Sequence, residues 1–263
     1  MRKSRRFTGI CPHPSVTPAP VDFESVLHSM KTKKPQAMVA IDVRQHLWQH
    51  PLFEGLDDEQ RAILTRRVNL HTFKRNDRII EAHTPARHWF LIEQGLVKVH
   101  GWQQKPPRDV VKGLFGPGEI IGEEALIFQN RYLYDAHALC DTVALAVPRK
   151  LTRTLAHNNP DWMWSLMQLI GKRLQLAEHQ VQALSSSDAR GRVVFFLKDL
   201  AQRHGRKIGH EVLVKHYLTQ QEIAEATGTS RQTVTSLLNE WKKKNLIYFT
   251  RYSVLIRDLD RLQ

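Results

Sequence analysis

Apolar residues recur along this chain with successive, different periods. The segment PLFEGLDDEQRAILTRRV places Leu56, Ile63, Leu64 and Val68 at helical spacing and reads as one amphipathic helix. RIIEA, HWFLIEQG, LVKVHGW, DVVKGLFG, EIIGEEAL and TVALAVP follow as strand-sized apolar runs up to Pro148, punctuated by Gly95, Gly113, Gly116, Pro117 and Gly118. Many short strands at regular spacing predict a small antiparallel barrel or sandwich. Beyond Asn159 the period changes. Met163, Met167, Ile170, Leu174, Ala177, Val181 and Leu184 lie alternately four and three residues apart, the seam of a two-stranded coiled coil. Leu166, Leu169 and Leu176 supply a second apolar face, suited to packing on the helix's own domain. Together the two faces predict a long helix that joins a parallel homodimer, with Met167, Ile170, Leu174, Ala177, Val181 and Leu184 at the interface.

Ser185-Ser186-Ser187-Asp188 breaks that helix and caps another, which Gly205 closes. EVLVKHYLT then reads as a strand leading into LTQQEIAEATGTSRQTVTSLLNEWKKKNLI. Here Thr219 and Glu222 form a capping box, Gly228 permits a tight turn, and Ser230 caps a second helix. Val234, Leu237, Leu238 and Trp241 fall on one face of that helix, leaving Arg231, Gln232, Thr235 and Ser236 outward at its N-terminal end. This is the end that meets base edges in helix-turn-helix proteins. The expected DNA contacts are Thr219, Ser230, Arg231, Gln232, Thr233, Thr235 and Ser236. Lys242, Lys243 and Lys244 suit the helix dipole and the vicinity of phosphates. NLIYFTRYSVLIRDL reads as a two-stranded wing with its turn near Arg251 and Tyr252.

Charge agrees with this reading. The chain has 263 residues and a net charge of +13, which points to a polyanionic partner. By count, residues 1–46 hold about +5 and residues 185–263 about +6, so the middle is near neutral. Residues 1–46 combine charge with Pro and small residues and read as a disordered basic tail. No apolar run approaches the ~20 residues of a membrane span and no signal peptide is evident, so a cytoplasmic protein with no membrane partner is expected. The two cysteines, Cys11 and Cys140, cannot build a disulfide framework or a cysteine-rich metal cluster, and no metal site is assigned. The expected division is a tail over 1–46, a barrel over 47–158, a dimerisation helix and hinge over 159–187, and a winged helix-turn-helix over 188–263.

That order, together with PLFEGL, IEQGLVKV, FGPGEIIGEEAL and TSRQTVTSLLNEWKKKNLI, resembles the Crp/Fnr superfamily (cyclic-AMP receptor protein and fumarate-nitrate regulator) from about Pro51 to Leu262. The resemblance implies an α+β protein with an N-terminal jelly-roll of double-stranded β-helix type, a dimer helix and a C-terminal winged helix. It implies a dimeric, sequence-specific transcription regulator that reads a palindromic operator, answers to a small-molecule effector in the barrel and can engage RNA polymerase. Carried over by residue, Arg231 matches the first arginine of the family's base-reading set, Gln232 replaces its glutamate and Ser236 its second arginine.

The same resemblance places the effector pocket at Gly122, Glu123, Glu124, Ala125, Arg131, Tyr132, Tyr134, Arg173 and Ala177. Gly122-Glu123 matches the start of the phosphate cassette. The Arg-Ser or Arg-Thr pair expected about ten residues on is absent, because Arg131 is followed by Tyr132-Leu133-Tyr134-Asp135. Ala177 and Glu178 replace the two hydroxyl residues that meet adenine. Cyclic AMP is therefore disfavoured, and Glu123 is expected to cap the helix after it. Tyr132, Leu133 and Tyr134 in place of a phosphate site suggest an aromatic or apolar effector, or none. An iron–sulfur cluster needs four cysteines and is excluded. His83, His88, His100, His137 and Cys140 could ligate haem, but no spacing singles one out. No phosphate-cradling loop, HExxH or nucleophile motif supports an enzyme. The alternatives are a cyclic-nucleotide-responsive regulator, an effector-independent one, or a nonspecific nucleoid-associated protein.

Overall fold

The structure, a computed structural model, describes residues 48, 50–104, 107–123 and 131–262. The tail over 1–46, and with it Glu124 and Ala125 of the expected pocket, lie outside the described residues. Two four-stranded antiparallel sheets face each other in the first half. One has the order β1 (Asn69–Phe73), β8 (Thr142–Pro148), β3 (His88–Gln94), β6 (Ile120–Ile121). The other runs β2 (Arg78–Ile80), β7 (Asp135–Ala138), β4 (Val97–Gln104), β5 (Pro107–Phe115). This is the antiparallel barrel or sandwich expected from the strand-sized runs, in the jelly-roll form that the resemblance implies. β1 and β7 carry too few large apolar residues to stand out from the sequence.

β8, β3 and β6 of the first sheet are buried on both faces, and their period of two separates two cores. Phe90, Ile92, Ala144 and Ala146 point between the sheets, against Val97, Val99, Phe115, Tyr132 and Ala136. Trp89, Leu91, Leu145 and Val147 point the other way, onto helices. These are α1 (Asp58–Arg67), α2 (Arg149–Asn158) and the start of α3 (Pro160–Ser186). Trp89 Nε1 donates to Thr152 Oγ1 of α2 at 2.7 Å, so the buried indole is satisfied. The expected single helix over 51–68 is in fact a 3-10 turn at Pro51–Phe53 followed by α1. Asp57 and Gln60 form a capping box that starts α1 afresh, so Leu56 precedes the helix and Val68 ends it. α2 was not expected, although Leu151, Thr152 and Leu155 give it a buried face.

α3 begins at a cap in which Asn159 accepts from Trp162 N, and it continues through Ser185 and Ser186 before Ser187 ends it. Asp188 then caps α4 (Ala189–His204). β9 (Arg206–Ile208) and β10 (Glu211–Lys215) form a hairpin, followed by α5 (Gln220–Thr227), α6 (Arg231–Lys243), β11 (Ile247–Phe249) and β12 (Ser253–Ile256). The sheet order is β11-β12-β10-β9. Val193, Leu197, Leu200, Ile223, Val234, Leu238 and Trp241 fill the core beneath these elements. Leu96, Leu114 and Leu139 of the jelly-roll belong to the same cluster. The winged helix is thus docked on its own barrel.

His216 links strand to helix inside that core, its Nδ1 accepting from Leu218 N at 3.1 Å. Burial pushes its imidazole down from 6.5 to about 4, only partly opposed by Glu222. Its folded pKa lies below the unfolded one, so its contribution to stability is whole above pH 6.5 and is lost as pH falls toward about 4. In that window the unfolding free energy should fall with a slope of up to about 1.4 kcal/mol per pH unit. Urea titrations between pH 7.5 and 4.5 check this: His216→Asn should flatten the slope, and an unchanged slope would assign it to other groups.

Candidate DNA interface and effector site

The capping box at the start of α5 is complete: Thr219 Oγ1 accepts from Glu222 N at 3.2 Å and Glu222 Oε2 accepts from Thr219 N at 2.9 Å. Gly228 ends α5 in the left-handed region at φ 59°, where a side chain would be strained. Ser230 Oγ accepts from Thr233 N at 3.0 Å and starts α6. Arg192 of α4 holds this turn, donating to the carbonyls of Thr227 (2.9 Å), Gly228 (3.0 Å) and, at the end of α3, Ser187 (2.9 Å). Arg192 gives no signal in the sequence, because its partners are backbone carbonyls, two of them 35 and 36 positions away.

Val234, Leu237, Leu238 and Trp241 face the core, and Arg231, Gln232 and Ser236 are exposed. Those three side chains make no hydrogen bond or ion pair among the described residues. The two threonines differ. Thr233 Oγ1 lies 2.9 Å from Ser230 Oγ, within the cap of α6, whereas Thr235 Oγ1 lies 2.6 Å from Gln220 Oε1 and braces α6 on α5. Thr219, Gln220, Gln221, Arg231, Thr250 and Arg251 line one cleft, which joins the N-terminal ends of α5 and α6 to the wing. Two helix N-termini and two arginines give it a positive character suited to phosphate. At the other end of α6, Lys242 Nζ lies 5.0 Å from the Tyr248 ring.

On α3, Met167, Leu174 and Val181 are 54%, 59% and 65% exposed, and Met163 and Leu184 are also exposed. Leu166 is buried against the barrel, with Leu169 and Ile170 half-buried beside it. Ile170, expected in the seam, therefore packs at least in part on the barrel, and Ala177 is exposed.

Of the expected effector residues, Gly122 lies against Tyr132 and Glu123 against Arg173, while Arg131 and Tyr134 have other partners. Tyr132 is buried between the sheets and its hydroxyl donates to His88 O at 2.7 Å. A Cβ at Gly122 (φ +79°) would stand 3.1 Å from that ring, so the glycine is needed for close packing. Arg131 is exposed and donates to His83 O at 2.5 Å. Tyr134 lies under Lys112 Nζ, 3.8 Å from the ring centroid. Glu123 is buried and pairs with Arg173, which also donates to Ile120 O at 3.1 Å and stacks on Phe115 at 4.5 Å. Burial pulls the Arg173 guanidinium down to about 10, which leaves it charged at neutral pH. The residues that Glu123 was expected to cap lie outside the described ones, and its observed partner is this arginine. The cradle thus spends Arg173 on Glu123, and Arg131, the other cation of the expected set, is turned onto the His83 carbonyl.

Of the residues named as haem candidates, His100 and His137 face each other at 3.0 Å between ring nitrogens. No group of three metal-ligating side chains occurs among the described residues, and no described helix is long and apolar enough to cross a membrane.

A jelly-roll joined by a long helix to a winged helix-turn-helix defines a DNA-binding regulator. Residues 70–159 match the cyclic nucleotide-binding domain and residues 191–263 the Crp-like helix-turn-helix domain. The chain belongs to the Crp/Fnr family of transcription regulators. It is 28% identical over 211 residues to the CRP-like cAMP-activated global transcriptional regulator of Mycobacterium tuberculosis, spanning 80% of this chain and 94% of that one. It is 27% identical over 217 residues to the cyclic AMP receptor protein of Thermus thermophilus, spanning 81% and 95%. Among solved structures, FixK2 from Bradyrhizobium japonicum shares the fold with a TM-score of 0.66 at 18% identity, covering 74% of this chain and 95% of that one.

Proposed function

We propose that this regulator works as a homodimer that reads a palindromic operator, and that an effector other than a cyclic nucleotide sets the two DNA-binding heads. The observation that carries base reading is the exposed, unpaired Arg231, Gln232 and Ser236 at the N-terminal end of α6. Arg231 is suited to O6 and N7 of guanine and Gln232 to adenine. Ser236 is too short for a bidentate contact, so the half-site differs from one read by two arginines. The exposed seam of α3 supports the dimer, which would place two recognition helices about one helical turn apart. Such a protein acts in the cytoplasm, where DNA and RNA polymerase are, and RNA polymerase is the partner through which it would act on transcription.

The spent arginine of the Gly122–Glu123 cradle argues against cyclic AMP as the effector, although relatives are named for it. Calorimetric titration of cyclic AMP and cyclic GMP into protein that binds DNA should give no heat. Micromolar binding by either would show that Arg173 leaves Glu123 to meet a phosphate, and would return the protein to the nucleotide-responsive regulators.

A further inference from the structure

A second cavity lies on α3, outside the Gly122–Glu123 cradle. Its volume is about 520 Å³, within the range of small-molecule sites, and its lining includes Arg173 but neither Gly122, Glu123 nor Tyr132. Leu169, Lys172, Arg173 and Leu176 enter it from α3 at positions i, i+3, i+4 and i+7, a single stripe of the helix. The seam residues Met167, Leu174 and Val181 are absent from the lining, so the stripe is separate from the dimer face.

The walls specify a chemistry. Leu52, Ile120, Leu169 and Leu176 are aliphatic. Phe115 and the His50 imidazole are the rings in the lining; the Arg173 guanidinium already stacks on Phe115, and His50 Nε2 donates to Gly118 O at 3.0 Å. That arrangement favours an alkyl chain over a flat ring. Arg173 is paired with Glu123, and Arg203 with both Asp199 (2.8 Å) and Glu119 (2.9 Å). Lys172 is exposed and has no ion-pair partner among the described residues. One open cation beside an aliphatic cavity suits one anionic head on one apolar tail.

The cavity also touches the DNA-binding half. Arg203 belongs to α4, and from the cavity wall it donates to Leu114 O at 3.1 Å and to Glu119 on the barrel rim. Beside it, the His204 ring stands so close to Gly116 that a Cβ there would meet Nδ1 at 2.7 Å. A molecule in the cavity would therefore press on the clasp between barrel and head. We propose that this cavity is an effector site for a medium-chain fatty acid, its carboxylate on Lys172 and its chain between Leu52, Ile120, Leu169 and Leu176, acting on DNA affinity through the Arg203–Glu119 clasp. Only that last coupling rests on the effector-gated reading given above.

Decanoate titrated into the full chain tests the site, with decanol as the uncharged control. Micromolar decanoate binding is expected, at least about tenfold weaker for decanol and for Lys172→Gln, whose surface position spares the fold. Leu169→Trp should fill the cavity and abolish binding. No decanoate binding by the wild type, or equal binding by Lys172→Gln and Leu169→Trp, would overturn the site. Operator affinity measured without ligand tests DNA reading on its own. With saturating decanoate that affinity should change at least about fivefold, and no change would overturn the coupling while leaving DNA reading intact.

Discussion

Leu174→Glu combined with Val181→Glu should yield a folded monomer whose affinity for a full operator falls by about 10²- to 10⁴-fold, the avidity lost when two linked half-site contacts become independent. The two leucine-like positions are 59% and 65% exposed in the isolated chain, so the new carboxylates cost nothing in its own core. In a coiled-coil seam they would face one another across the partner helix, where like charges replace knobs-into-holes packing. Sedimentation equilibrium reads the first half of the expectation and operator titration the second. Unchanged helicity with a monomeric mass supports the account. A double variant that remains a dimer with full operator affinity would move the interface elsewhere.

Arg231→Ala should cost about 1–3 kcal/mol on the operator, or roughly 5- to 150-fold, with the loss confined to one base position. Its side chain makes no hydrogen bond or ion pair among the described residues, so stability should hardly change. Removing a base contact relaxes specificity, whereas removing a phosphate contact weakens all sequences alike and lowers the salt slope. Titrations on the operator, on a variant with the guanine replaced, and on random DNA separate these outcomes. Equal losses on all three would reassign Arg231 to the backbone. Thr235→Ala should behave differently, because its hydroxyl braces Gln220 and its removal loosens the pair of helices.

Much of this was legible in the chain, and for local reasons. The capping box Thr219–Glu222, the turn glycine at Gly228 and the cap at Ser230 act within four residues, so their spacing predicts their geometry. The seam of α3 is legible because a helix repeats its faces regularly. The split at Asp57 was equally local, its capping box with Gln60 hidden by the apolar spacing across it. What could not be read is what distant segments do to one another. Lys98 meets Glu222 at 2.6 Å across 124 positions, joining the barrel to the same carboxylate that caps α5. Burial raises that carboxyl, but the Lys98 and Thr219 bonds outweigh it and hold Glu222 below the usual range.

The expected pocket shows the same limit. Its residues were aligned by motif, and the motif does not say which way Tyr132 turns. The ring turned into the core, Arg131 turned outward and Arg173 closed on Glu123. The second cavity gave no sequence signal, because its wall comes from a 3-10 turn, a barrel rim, the flank of α3 and one arginine of α4. Asp199 and Arg203, four apart, hint at a braced helix, but not at the rim that Arg203 reaches.

The central claim is that this chain reads DNA sequence as a dimer through the N-terminal end of α6. Selection of bound duplexes from a random pool, followed by titration of the winner against unselected DNA at fixed salt, tests it directly. The account predicts a palindromic winner with half-sites one helical turn apart, bound at least about 10³-fold more tightly than random duplex. No enriched sequence, with all duplexes bound alike and only in proportion to salt, would contradict it and leave a nonspecific binder of the phosphate backbone.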